Sequence, residues 1–347
     1  MNRLLVVGPS WVGDMLMSQA LYRRLKADNP DIQIDVLAPD WCRAVLSRMP
    51  EVNQAIVMPV GHGSLQWGIR KQVASELALE KYDSAIVLPN SLKSALIPWM
   101  AKISQRRGWH GEMRYGLLND RRKLDKDAFP MMVQRYAALA EMPCDSADSL
   151  LPVLSPQLHV DSEHQQLLTA EYGLESGMFV AFCPGAEFGP AKRWPDYHYA
   201  ELAEKLIGKG FQVVLFGSAK DAEVTAQILS KLKQSEYADA ERCVDLAGKT
   251  SLQDVIDLLA ASAVTVSNDS GLMHIAAAVN VPVIALYGPT SPGFTPPLSE
   301  KAEVIRLIDG FHKIRKGDAE QGYHQSMIDI TPELVLEKLQ AYLPELA

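Results

Sequence analysis

Short runs of β-branched and aromatic residues alternate with helical patterns through this chain, break off at a proline-rich segment, and then begin again. In the first half, Leu4 to Val7 reads as strand, Asp14 to Lys26 as helix and Ile32 to Leu37 as strand, with Ala85 to Leu88 and a helix over Ser91 to Ala101 further on. Alternation of this kind builds βαβ units around a parallel sheet. The second half repeats it, with strands at Phe179 to Phe182, Gln212 to Phe216, Val264 to Val266 and Val283 to Tyr287. Helices at Tyr197 to Lys209, at Glu223 to Leu232 and from Gly271 onward lie between them. Met142 to Ser162 separates the halves, with three prolines and no helical period, and few contacts are expected to cross it. The expected architecture is α/β with two Rossmann-like doubly wound domains, 1–155 and 156–325. A terminal segment, 326–347, carries one amphipathic helix marked by Leu334, Val335, Leu339 and Tyr342. A chain of 347 residues exceeds the ~250 to 300 at which a single core stops growing, which agrees with two domains.

Composition removes several classes of function. A net charge of −8 argues against a nucleic-acid partner, which needs a basic surface. The stretch from Met1 to Gly8 is too short for a secretory or spanning segment, so a cytoplasmic protein is expected. Cys42, Cys144, Cys183 and Cys243 are scattered without metal-site spacing, and read as structural thiols with no metal site. Locally the charge reverses. Between Lys102 and Lys126 lie Lys102, Arg106, Arg107, Arg114, Arg121, Arg122, Lys123 and Lys126 against Glu112, Asp120 and Asp125, either a solvated face or an anion-binding one.

Ligands of open α/β folds bind at the carboxyl ends of the strands, so the loops after strands carry the functional signal. Gly8-Pro9-Ser10-Trp11-Val12-Gly13-Asp14 leaves the first strand without G-x-G-x-x-G spacing, which tells against a nicotinamide site. On the residues alone Asp14 reads as a helix cap before it reads as a catalytic carboxylate. Pro184 to Pro195 holds two glycines and the pair Lys192-Arg193, a cradle suited to phosphate rather than merely an exposed basic turn. Ser267-Asn268-Asp269-Ser270-Gly271-Leu272-Met273-His274 turns from a strand into an alanine-rich helix whose free N–H groups can hold a diphosphate without metal. Asp269 there reads as a cap or an orienting group, and His274 equally as a ligand or a core histidine. Gly217, Ser218 and Asp221 in one strand-end loop and Gly248 in another suit a nucleoside, although turn chemistry alone explains both sequences.

Taken in order, G-P-S-W-V-G-D, P-G-A-E-F-G-P-A-K-R-W-P, F-G-S-A-K-D, N-D-S-G-L-M-H and A-L-Y-G-P-T-S-P resemble the ADP-heptose:lipopolysaccharide heptosyltransferases of glycosyltransferase family 9, and among them the type II enzymes. The resemblance runs the whole length. It implies a GT-B fold, two Rossmann-like domains facing a central cleft, with the acceptor on the first domain, ADP-heptose on the second, and the terminal segment packed back on the first. It makes Asp14 the general base, Lys192 the diphosphate contact, and Asp269, Ser270, Gly271, Leu272 and His274 the donor phosphate and sugar site. Ser10, Trp11, Gly13, Asn90, Lys93 and Arg114 become acceptor contacts. Ser270 stands where related enzymes can carry Thr, and keeps the hydroxyl.

The implied reaction is inverting transfer of L-glycero-D-manno-heptose from ADP-heptose to the first heptose of a heptosyl-Kdo2-lipid A type acceptor, in lipopolysaccharide core biosynthesis. No cofactor is required by this reading. A divalent cation is not indicated, though nothing in the sequence forbids one. The basic stretch would meet the anionic acceptor and hold the enzyme peripherally and reversibly at the anionic inner membrane surface. Another GT-B nucleotide-sugar transferase or epimerase would use the same loops, an oxidoreductase using NAD would need the missing glycine fingerprint, and a non-catalytic lipopolysaccharide-binding module would need only the basic stretch.

Overall fold

The computed structural model describes residues 3–60, 64–143, 146–187, 189–235, 239–310, 314 and 316–343. Cys144, Phe188 of the second glycine loop and residues 344–347 of the terminal segment lie outside the described residues. The chain forms two compact units, Met1–His159 and Val160–Ala347, so the division falls between His159 and Val160.

The first unit is a sheet of six strands: β1 (Arg3–Val7), β2 (Gln33–Ala38), β3 (Val52–Val57), β4 (Ser84–Val87), β5 (Gln105–Trp109) and β6 (Asp120–Arg122). All pairings are parallel, in the order β3-β2-β1-β4-β5-β6. Leu4 to Val7 are buried because helices cover both faces of a parallel sheet, which is why this strand reads as a continuous apolar run. The core joins Leu5 and Val7 to Val73 and Leu77 from the helix Trp67–Leu79 and to Ala95 and Ile97 from the helix Leu92–Met100. β1 has β2 on one side and β4 on the other, so the strand order reverses there and the loops after β1 and β4 flank a crevice position.

Part of the basic stretch turns inward. Arg106 donates to the carbonyls of Ile103 and Leu117, Arg107 pairs with Asp120 at 2.6 Å, and Arg122 donates to the carbonyls of Ala138 and Glu141. These guanidiniums hold β5 and β6 in place, in a segment too charged to read as strand. The connecting segment is also fastened down. The buried Gln19 amide donates to the Gln157 carbonyl at 2.7 Å and accepts from its N–H at 2.9 Å, while His159 N–H donates to Arg48 O.

The second unit repeats the topology with β7 (Phe179–Cys183), β8 (Gln212–Leu215), β9 (Cys243–Asp245), β10 (Val264–Asn268), β11 (Val283–Leu286) and β12 (Ala302–Ile305). Its order is β12-β11-β10-β7-β8-β9, again all parallel, and the reversal falls between β7 and β10. Trp194 has no exposed surface and donates its indole N–H to Ile330 O at 2.7 Å, tying the loop after β7 to the chain's last segment. The helix Pro332–Leu339 places Val335 and Leu339 in the second unit's own core with Met327 and Ile330. Cys42, Cys183 and Cys243 are free and buried, and burial pushes the thiols of Cys42 and Cys243 up to about 12. Among the described residues no helix is long and apolar enough to cross a membrane.

Candidate functional site

The loop after β1 is drawn tight. A Cβ on Gly8 would lie 2.8 Å from Met15 Cε and 3.1 Å from Val36, so a side chain there would have to displace the Met15 methyl. The helix Val12–Asp28 follows with Trp11 at its N-cap, and no side chain caps it. Asp14 is therefore not the cap. It sits in the first helical turn, and its charge raises the pKa of the buried Cys42 thiol and Tyr136 phenol, after burial itself. Trp41 donates its indole N–H to Ser10 O at 2.7 Å, and Cys42 Sγ approaches the same oxygen at 3.8 Å, so the loop is held from the end of β2.

The loop after β4 carries Asn90 and leads into the helix Leu92–Met100, on which Lys93 lies in the first turn. Arg114, expected among the acceptor contacts, has no exposed surface. It donates to Pro89 O at 2.8 Å, to Asn90 Oδ1 at 3.3 Å and to Trp109 O, and burial pushes its pKa down to about 10 against the pull of Glu112. A buried cation bonded to three oxygens shapes the loop from behind and leaves Asn90 exposed at its tip. Glu112 accepts from the Leu92 N–H at 2.7 Å, and a Cβ on Gly111 would stand 2.3 Å from Asn90 O. Residues 111, 112 and 114 thus brace one turn.

In the second unit the Lys192-Arg193 pair divides. Lys192 Nζ reaches Asp269 Oδ2 at 2.6 Å in the turn after β10, whereas Arg193 lines a separate groove of about 450 Å³ with Asp196, Lys220, Lys231 and Tyr323. The turn is built on Asn268, which has no exposed surface. Its Oδ1 accepts from Trp194 N–H and Tyr199 Oη, each at 3.1 Å, and its Nδ2 donates to Pro184 O at 2.7 Å. Ser270 caps the helix Gly271–Ala278 through a long bond from Met273 N–H at 3.5 Å. Gly271 and Leu272 are its first residues, half-buried like the Ser270 cap. His274 is buried, and burial pushes it down to about 4, with Asp269 opposing and Lys192 assisting, so at neutral pH it carries no charge.

The loops after β7, β8 and β9 pack on one another. Asp221 Oδ2 accepts from Ser218 N–H at 2.9 Å and Ser218 Oγ at 2.8 Å. Cβ atoms on Gly185 and Gly217 would lie 2.6 Å and 2.8 Å from the Asp221 side chain, and Gly248, at φ +70°, donates its N–H to Gly217 O. The turn chemistry noted for these sequences is therefore present, and the Asp221 carboxylate is engaged within its own turn.

The structure gathers Lys192, Asp269, Ser270 and His274 in one place, and Gly217, Ser218, Asp221 and Gly248 in another, within the second unit. In the first unit it brings Ser10, Trp11, Gly13 and Asp14 onto one loop and helix start. Sequence reading passed over Asn268, which sits inside a motif it quoted, and Trp41, for which an isolated Trp after Pro39-Asp40 was the available signal. An ammonium beside the first turn of a helix, with a neutral imidazole near and a carboxylate to hold the ammonium in place, is an arrangement for receiving phosphate oxygens.

The family model of glycosyltransferase family 9 (heptosyltransferase) matches residues 70–324. Lipopolysaccharide heptosyltransferase 2 of Salmonella typhimurium is 59% identical over 347 residues, covering 99% of both chains. Lipopolysaccharide heptosyltransferase 2 of Escherichia coli K12 is 58% identical over 345 residues, 98% of both. The solved structure of the E. coli ADP-heptose lipopolysaccharide heptosyltransferase II superposes with a TM-score of 0.88 at 54% identity, covering 99% of each chain, and the fold is of the GT-B type. With a family model over most of its length and relatives this similar from end to end, the chain is a glycosyltransferase and belongs to family 9, the heptosyltransferases.

Proposed function

We propose that this chain transfers L-glycero-D-manno-heptose from ADP-heptose to the first heptose of the lipopolysaccharide inner core, with inversion at the anomeric carbon. The observation that carries the donor half is Lys192 held at the opening of the helix Gly271–Ala278. The acceptor is that implied by the full-length likeness to the relatives named lipopolysaccharide heptosyltransferase 2. In the reaction Asp14 takes the proton of an acceptor hydroxyl, whose oxygen forms a bond to the anomeric carbon while the bond from that carbon to the β-phosphate oxygen breaks. ADP departs with the electron pair, and Asp14 later releases the proton to solvent.

Lys192 and the first-turn N–H groups stabilise the charge that grows on the leaving diphosphate, and Asp269 holds Lys192 ready before the donor arrives. Ser270, Gly271, Leu272 and His274 complete the donor site. Gly217, Ser218, Asp221 and Gly248 shape the nucleoside side. Ser10, Trp11, Gly13, Asn90 and Lys93 face the acceptor, with Arg114 positioning Asn90. No divalent cation enters these steps. A lipid-anchored acceptor places the enzyme in the cytoplasm against the inner face of the inner membrane, where Lys102, Lys123 and Lys126 meet anionic lipid. The test is ADP release from ADP-heptose with a heptose-terminated inner-core acceptor: release must depend on the acceptor and collapse in Asp14→Ala. Release without acceptor would identify a hydrolase instead.

A further inference from the structure

We propose that Trp41 is an acceptor-binding residue whose indole face carries one sugar ring of the acceptor. The inference rests on the acceptor-side reading of the first unit and adds a contact to it. Trp41 is 51% exposed, yet its orientation is fixed, because its single donor is tied to Ser10 O at 2.7 Å. The neighbouring Cys42 is fully buried and approaches the same oxygen, so the short helical turn Asp40–Cys42 is held to Ser10 through two adjacent side chains. An exposed indole that served only solubility or chance would be free to turn. This one is held open at the carboxyl end of β2, in the loop next to the one that leads into Asp14 and so beside the crevice position flanked by the loops after β1 and β4.

The chemistry selects the ligand. A pyranose ring shows C–H groups on its faces and hydroxyls around its rim. The π face of an indole is apolar and partly negative, so it covers the C–H face and leaves the rim hydroxyls for polar partners. The Ser10 carbonyl that anchors Trp41 belongs to the segment that sets the start of the helix carrying Asp14, so the platform and the carboxylate share one support. A sugar stacked on Trp41 would be oriented relative to that carboxylate without any contact to it.

The test separates the ring from its N–H. Trp41→Ala removes both, whereas Trp41→Phe keeps an aromatic face and loses the bond to Ser10. Binding of a de-acylated, heptose-terminated core oligosaccharide is measured by calorimetry, which needs no turnover, and acceptor KM and kcat are measured alongside. We expect Trp41→Ala to weaken acceptor affinity about tenfold (~1.4 kcal/mol). Trp41→Phe should weaken it no more than about threefold, with kcat at saturating acceptor and ADP affinity preserved in both. Wild-type affinity in Trp41→Ala would overturn the platform. So would equal losses of kcat in both variants at unchanged acceptor affinity, which would reduce Trp41 to a support for the Ser10 loop. No binding of the oligosaccharide to the wild type would instead sink the acceptor assignment itself, and the platform with it.

Discussion

The ammonium of Lys192 and the carboxylate of Asp269 meet at 2.6 Å across 77 residues of sequence, with 17% and 8% of their side chains exposed. An ion pair this sheltered is not the weakly contributing surface kind, and each partner fixes the other. Lys192→Ala should lower kcat/KM for ADP-heptose by about 10² to 10³, in the range of losing one charge-stabilising donor. Asp269→Asn keeps an acceptor for Lys192 and should cost less. Steady-state ADP release decides between them, and a Lys192→Ala enzyme within tenfold of wild type would remove Lys192 from the leaving-group site.

Asp14 lies in the first turn of its helix and is not the cap. Asp14→Asn should cut kcat by about 10² to 10⁴, the usual contribution of a positioned general base. Loss of a first-turn acid costs only about 0.3 to 1 kcal/mol of stability. Thermal unfolding and calorimetric ADP binding should therefore stay near wild type while turnover collapses. Turnover above a tenth of wild type would exclude Asp14 as the base.

His274 gives the second unit a defined acid sensitivity. Burial lowers its pKa from 6.5 to about 4, so the unfolded chain binds its proton at higher pH than the folded chain does. Stability from keeping the imidazole neutral is thus complete above about pH 6.5 and is lost as pH falls toward 4, by up to about 3 kcal/mol. Urea unfolding of wild type and His274→Leu at pH 7.5 and 4.5 measures it. The wild type should lose more stability than the variant between these pH values, and equal losses would contradict the assignment.

Gly111 and Arg114 shape the turn that presents Asn90. A Cβ at Gly111 would meet backbone oxygen at 2.3 Å, so Gly111→Ala should displace residues 89–91 and cost about 1 to 3 kcal/mol. Arg114→Met removes the donors to Pro89 O and Trp109 O and should cost a similar amount. Both should raise acceptor KM more than donor KM. A donor-side defect in either variant would place this turn elsewhere in the reaction.

The strands that the sequence announced are those buried on both faces, such as Phe179–Cys183 and Val283–Leu286, where apolar runs have no other use. β5 did not stand out because Arg106 and Arg107 answer to neighbouring carbonyls and carboxylates rather than to a core, and β9, Cys243–Asp245, is too short to show a pattern. In the site, glycine loops and helix starts were legible because turn geometry demands particular residues. The burial of Arg114 was not legible, because a count of basic residues does not say which of them turn inward. Trp41 escaped notice because its role depends on Ser10 O, a backbone atom that has no letter in the sequence.

Asn268 grips Pro184, Trp194 and Tyr199 at once, so the stretch after β7 and the turn after β10 cannot be exchanged separately. Anyone grafting a new donor preference onto this scaffold from another sugar transferase would have to transplant both pieces together with that amide. A chimaera that carried only the Asp269 to His274 turn would inherit the lettering of the new specificity without the hinge pins that hold it.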